Sequence, residues 1–425
     1  MKQMMSKIWS SSSVRNVGKL LSASVIAQAI GILVYPVLTR MYSPEDFGLL
    51  NLFVSIGGVF VVLSVMEWNN AIVLPKEEKE AVAVVHVSLL SVAAWVLLIA
   101  LSVPFATPIA NIFQTPQLAS YYWLMPFYVL LMALWNVLNL WYIRKTEYGR
   151  ISGYQISQSL LSSGGKAGFG FLPFNGGLIF ATVLSLFCSL VISIIMAGKK
   201  CFASLIKIDS EQCKNIAEKY SNFPKYSMPR ALLNTIAGQL PVLLLTPVFG
   251  TRLVGFWGMA VLLGFVPVST ISRALYQVFF QKTTDWVNTG QSIAPFYRRF
   301  TVWTLLAVVP FFVVLWFILP SLTAWLLGDE WVVTGEYIRW FLPWLACNIL
   351  SASTGYLSDI FFKQKQGLLF EILLAVTRAS GVGIGIALRN FEVAVAGYAI
   401  GSAIVNLAQY IWMLTLVRTY EKGLA

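Results

Sequence analysis

LLSSGGKAGFGF, residues 160–171, sets one lysine among four glycines inside an apolar part of the chain. A glycine-rich loop around a lysine can cradle a phosphate; a lone lysine in an apolar run can equally be a cation placed inside a membrane. The nucleotide-binding pattern asks for glycine six residues before the lysine and a hydroxyl immediately after it. Leu160 and Ala167 occupy those two places. The phosphate loop is therefore incomplete, and the surroundings of Lys166 decide for the membrane.

Those surroundings extend over the whole chain. Of 425 residues, 58% are hydrophobic and only 11% are charged, whereas a soluble domain carries about a quarter charged residues. Apolar runs of about 20 residues, enough to cross about 30 Å of hydrocarbon, recur from one end to the other. Twelve spans are expected, near 18–39, 47–70, 82–103, 118–142, 154–173, 177–197, 229–249, 253–281, 300–327, 337–362, 367–388 and 391–417. The fifth, rich in Ser and Gly, is the least apolar. The first 16 residues are polar and basic, without the apolar core of a signal peptide, and read as a retained cytoplasmic leader.

Charge supports this count. With both termini in the cytoplasm, the inward segments collect 23 Lys and Arg, while the outward ones hold only Arg40, Arg252 and Arg389. Such asymmetry is what orients membrane proteins. It also accounts for the net charge of +12, so no nucleic-acid partner is expected. The longest inward segment, between residues 198 and 230, separates six spans from six. An internal repeat agrees with that division: SPEDFGLLNLFVSIG (43–57) aligns without gaps on GTRLVGFWGMAVLLG (250–264), bringing Gly48 onto Gly255 and Gly57 onto Gly264. We expect an all-α polytopic membrane protein of about 12 transmembrane helices in two six-helix lobes around a central cavity. The N-terminal lobe is 1–197, the cytoplasmic linker loop 198–228 and the C-terminal lobe 229–425. Duplicated halves of this kind belong to transporters.

Enzyme chemistry finds little support. The single histidine, His86, lies at the inner start of a span, and the segment at 198–230 is too short for a catalytic domain. Cys188, Cys201, Cys213 and Cys347 form no CxxC pair, so no metal site, disulfide or redox role is expected. No catalytic residue and no cofactor is assigned.

Intramembrane charges remain. An ionised side chain at mid-bilayer costs about 2.5–3.5 kcal/mol on insertion scales, and its usual place is a functional cavity. Arg378 stands near the middle of the eleventh span, with Glu371 two turns earlier as a potential partner. Lys166 heads a polar stripe (Gln155, Ser159, Ser163, Lys166, Gly170) with spacings of one helical face. The first span offers a matching stripe in Ser24, Gln28, Gly31 and Tyr35. Lys166, Arg378 and, nearer the inner end, Arg273 are taken as a cationic substrate-binding set, with Gln28, Ser159 and Ser163 as polar cavity face. Arg339 reads as interfacial. Glu67 and Asp359, at the inner ends of spans two and ten, are candidates for coupling to H+ or Na+; each could equally cap a helix or pair with a lysine. Trp135 or Tyr154 could stack on sugar rings, although the interfacial belt is the commoner home of such residues. A cavity of this sign suits phosphate oxygens.

Three stretches, LTRMYSPEDFGLLNLF (38–53), EWNNAIVLPKEEKEA (67–81) and FPKYSMPRALLNTIAGQLPVLLLTPVFGTRLVGFWGMA (223–260), resemble the polysaccharide-repeat (O-antigen type) flippases of the multidrug/oligosaccharidyl-lipid/polysaccharide exporter (MOP) superfamily. The resemblance implies a V-shaped bundle in the bacterial inner membrane. It would move an undecaprenyl-pyrophosphate-linked oligosaccharide to the outer leaflet by alternating access. It also implies membrane lipid, polysaccharide polymerase and glycosyltransferases as partners. Many relatives place Arg-Tyr before the glutamate of the second stretch, where this chain has Val65-Met66; that departure weakens a coupling role for Glu67. The alternatives are a multidrug/cation antiporter of the same fold, and a non-transporting membrane scaffold of a glycan-assembly complex.

Overall fold

The computed structural model describes residues 12–172, 176–202 and 210–424, the side chains of 12–24, 199–202, 210 and 424 excepted. The leader's first eleven residues and the side chains of Ser24 and Cys201 thus lie outside the described residues. Every regular element among the described residues is helical. The long helices of the first half are α1 (Ser12–Leu38), α2 (Pro44–Val65), α3 (Glu78–Leu101), α4 (Gln117–Arg144), α5 (Tyr148–Gly170) and α6 (Gly177–Phe202). The stretch Met228–Ala260 breaks at Gly250, whose φ of 82° and ψ of 172° are not helical. A Cβ would strain that backbone, so glycine suits the break. We count 228–249 as α7 and 250–288 as α8, the latter running through a π-helical turn at Val261–Phe265 into Val266–Asn288. Then come α9 (Ala294–Leu327), α10 (Val332–Thr354), α11 (Gln364–Ala387) and α12 (Phe391–Leu424).

Twelve long helical segments among the described residues therefore stand where twelve spans are expected. Eight stretches are long and apolar enough to cross a membrane, and one of these, Phe223–Asn288, contains both α7 and α8. The segments outside these stretches are α1, α5 and α10. In α1 the apolar stretch among the described residues is Val25–Leu38. In α5 serine and glycine replace aliphatic residues. Helix α10 carries Glu336, Arg339 and Asn348 but buries much of its surface, including Phe341, Trp344 and Leu345, so its packing is against protein rather than lipid.

Local chemistry sets the helix ends. Ser43 caps α2 in a reciprocal box: the Asp46 backbone N–H donates to its hydroxyl (3.3 Å), and its own backbone N–H donates to the Asp46 carboxylate (3.0 Å). Pro44 occupies the first turn, where its missing N–H costs nothing. Helix α2 stops at Met66 and Glu67, both in the left-handed region at φ 48° and 62°.

The chain forms two compact units, divided between Pro247 and Val248. Helix α7 up to Pro247 groups with the first unit; Ser55 of α2 donates to Gln239 Oε1 at 2.9 Å. The segment linking the halves is more than a loop. Ser210–Lys219 is a helix whose Cys213 and Ile216 are buried in one cluster with Ala81–Val85 of α3, Trp141 and Tyr142. Lys219 and Glu80 pair at 3.0 Å beside it.

Within each unit the same pairings recur. Helix α4 packs on α2, α3 and α6, and α5 on α6; α10 packs on α8, α9 and α12, and α11 on α12. One aligned pair of glycines, Gly57 and Gly264, faces the corresponding helices α4 and α10, although only Gly57 leaves no room for a Cβ. A Cβ on Gly57 would fall 2.4 Å from Tyr128 of α4, and one on Gly264 would fall 3.4 Å from Ile338 of α10. The pairing of α1 with α5 is confined to the first unit. Among the eight apolar stretches α9 is the least enclosed, with 11% of its most apolar 18 residues buried against 61% for α2, so most of its surface lies open.

Candidate functional site

In the first unit the polar stripes of α1 and α5 meet. Ser159 Oγ donates to the Ala27 carbonyl at 2.5 Å, and a Cβ on Gly31 would stand 4.0 Å from the same hydroxyl. Ser163 is buried, and Gln28 is half-buried. Lys166 lies four residues before the C-terminal end of α5, about 6 Å along the axis, nearer that end than the sequence suggests, because the helix stops at Gly170. Tyr42 OH donates to the Lys166 carbonyl at 2.7 Å, and Gly170 packs on Met41. The Lys166 side chain is half-buried, and among the described residues its ammonium meets no carboxylate. Trp135 and Tyr154, candidates for sugar stacking, stack on each other instead (centroids 3.3 Å, interplanar angle 9°), with Tyr154 buried.

Arg378 lies mid-helix in the second unit, nine residues from the C-terminal end of α11, about 14 Å. Its Nε donates to Ser402 Oγ of α12 at 2.9 Å. Its guanidinium lies 5.3 Å from the centroid of Trp344 and 5.0 Å from that of Tyr398. These rings belong to an aromatic cluster: Trp344 stacks on Phe265 at 4.8 Å, and Trp257 meets Tyr398 and Phe341 edge-on. Cation–π contacts are worth about 0.5–2 kcal/mol according to desolvation, enough to orient the group without neutralising it. The potential partner Glu371 is exposed, and no ion pair joins it to Arg378 among the described residues. The two terminal guanidinium nitrogens carry no hydrogen bond among the described residues. Neither does the buried Trp344 Nε1.

Helices α11 and α12 reach this arrangement through glycine. A Cβ on Gly381 would fall 2.4 Å from the Gly397 backbone, and one on Gly385 would fall 2.3 Å from Ala394. That approach lets a short Ser402 side chain reach Arg378. Sequence reading located the arginine but missed Ser402, Trp344 and Tyr398. The two glycine pairs at i, i+4, 381/385 and 397/401, are the signal that could have shown α11 against α12.

The remaining candidates stand apart. Arg273 is exposed on α8. Glu67 is half-buried beyond the end of α2 and accepts from Asn70 Nδ2. Burial pushes its carboxyl above the ordinary glutamate value, opposed by the positive charge of Arg230 and by that hydrogen bond. Asp359 is exposed in the short helix Leu357–Ile360. Arg339 donates through Nε to the Trp316 carbonyl at 2.6 Å, and His86 is buried at the start of α3.

A family described as "Polysaccharide biosynthesis protein" matches residues 37–335. No curated protein matches the sequence. Among solved structures, the chain is similar to the inward-facing conformation of a multidrug resistance MATE family transporter of the MOP superfamily: 14% identity, 95% of this chain and 100% of that one covered, TM-score 0.68. It is also similar to MATE in complex with MaD3S (14%, 96% of each chain, TM-score 0.60). A mutant of the Vibrio cholerae MATE transporter VcmN is a third (13%, 96% of each chain, TM-score 0.59). At such identities the likeness concerns the fold.

Proposed function

The chain belongs to the polysaccharide biosynthesis protein family and has the fold of MOP-superfamily transporters, and from that premise we propose that it flips an undecaprenyl-pyrophosphate-linked oligosaccharide across the bacterial inner membrane. It is a multi-pass membrane protein whose family and fold are those of transporters rather than enzymes, and that fold supports a flippase-type exporter. The finer reading rests on one observation above others: Arg378 is held on its stem by Ser402 and two aromatic rings, with its terminal nitrogens unspent. A guanidinium in that condition offers two parallel donors, the geometry that matches a phosphate or carboxylate.

In this proposal Arg378 in the second unit and Lys166 in the first each meet the pyrophosphate or an acidic sugar. Lys166, close to the outer end of α5, acts late in the crossing, and Arg273 acts at cytoplasmic entry. Gln28, Ser159 and Ser163 supply a polar surface for hydroxyls, and both termini are cytoplasmic. Glu67 or Asp359 would bind a coupling H+ or Na+, and glycosyltransferases and a polymerase supply and consume the cargo. A cationic drug would favour deep carboxylates, whereas Glu67 and Asp359 lie at helix ends, so the antiporter reading is less well supported.

The test is a chromosomal replacement in which Arg378→Ala, still inserted and expressed, loses surface polysaccharide and accumulates lipid-linked repeats on the cytoplasmic leaflet. Normal glycan with Lys166 and Arg378 both neutralised would overturn the proposal.

A further inference from the structure

Far from Arg378, where α9 begins and α12 ends, Arg298, Arg299 and Arg418 border one hollow of about 920 Å3. Arg418 lies sixteen residues beyond Ser402 along α12, about 24 Å at 1.5 Å per residue, so this is a different place on the unit. All three arginines are exposed, and none is paired with a carboxylate among the described residues. The nearest acid of α12, Glu421, caps the start of α9 at the hollow's rim, where Ser292 and Ala294 also line it. It accepts from Ser292 Oγ (3.1 Å) and from the backbone N–H groups of Ile293 (2.7 Å) and Ala294 (2.9 Å). Three arginines against that one carboxylate leave the hollow net positive.

Its floor is apolar. Val302 and Trp303 line it, and Trp303 is 70% exposed. Trp303 also begins a second hollow, about 710 Å3, which continues along α9 past Ala307, Val308 and Phe311, against α8 and α10. Cation cluster, exposed tryptophan and apolar groove follow one another along a helix whose apolar surface lies open. A free anion would use only the first of these; an amphiphile uses all three.

We infer that Arg298, Arg299 and Arg418 hold the phosphate of an anionic glycerophospholipid of the cytoplasmic leaflet, one acyl chain of which lies in the groove along α9. Basic recesses between transmembrane helices on the cytoplasmic side are suited to such headgroups. Each arginine near the surface is worth about 1 kcal/mol toward an anionic lipid. Losing three lowers affinity on the order of 100-fold.

Native mass spectrometry of the full chain in detergent, given phosphatidylglycerol or phosphatidylcholine, tests this directly. Phosphatidylglycerol is retained preferentially; the Arg298→Gln/Arg299→Gln/Arg418→Gln variant loses that retention on the order of 100-fold, at unchanged thermal stability in phosphatidylcholine. Ala307→Trp, which fills the groove and spares every arginine, lowers it several-fold. Full retention by the triple variant would overturn the site. Displacement by millimolar inorganic phosphate, or no effect of Ala307→Trp, would reduce it to an anion site without a chain. Preference for a polyprenyl phosphate over phosphatidylglycerol would overturn the choice of lipid, leaving the Arg378 proposal untouched.

Discussion

Arg378 and Glu67 show what one residue type can and cannot disclose. The cost of burying a guanidinium marks Arg378 from composition alone, because no other position in α11 combines that charge with that depth. Its partners were hidden because Ser402, Trp344 and Tyr398 lie 20 to 34 residues away on other helices, joined only by packing. Glu67 was legible as an acid at a helix end, but its left-handed backbone and the approach of Arg230 were not. Its carboxyl is raised by burial, so the folded state holds the proton more tightly than the unfolded chain does. Stability from this residue is full below the ordinary glutamate value of about 4.3 and falls as pH rises through the folded value. Glu67→Gln should therefore flatten the pH dependence of the melting temperature above about pH 4.3. Melting curves from pH 4 to 8 that stay parallel for both proteins would rule this out.

At the level of helices, apolar periodicity and punctuation located nearly everything: Ser43 and Pro44 announce α2, and Gly250 announces the break between α7 and α8. The helix at Ser210–Lys219 escaped because it is short and its buried face consists of two residues, too little for a period to show. Close packing of α11 on α12 is where element and site depend on each other. Gly385→Val should drive the helices apart and cost roughly 1–3 kcal/mol, the usual penalty of overpacking, with loss of transport because Ser402 withdraws from Arg378. Gly383→Ala, two residues away and facing open space, should be silent. Thermal unfolding of both variants in one detergent separates the outcomes; equal melting temperatures would contradict the packing argument.

For the whole molecule, charge asymmetry proposes an orientation for every span at once, and that orientation is open to direct test. Cysteines introduced at Thr251 and Asn390 in a cysteine-free background should react with an impermeant thiol reagent from outside the intact membrane. Those at Lys145 and Gln291 should react only after permeabilisation. The reverse pattern would invert the topology. Sequence disclosed the repeat that aligns Gly57 with Gly264, but not the pairing of α2 with α4 and of α8 with α10, which only packing shows. It could not disclose that α7 groups with the first unit, because contacts such as Ser55 with Gln239 link residues 184 positions apart.

The Glu421 contact at the head of α9 carries a consequence for biogenesis. Ala294 is synthesised 127 residues before the carboxylate that caps it, and ribosomes add about 5–20 residues each second. For roughly 6–25 s, the sparsely enclosed α9 must sit in the membrane with its leading N–H groups served by water alone. A nascent chain stalled before Glu421 should expose that turn to proteolysis, so α12 finishes a helix made three helices earlier.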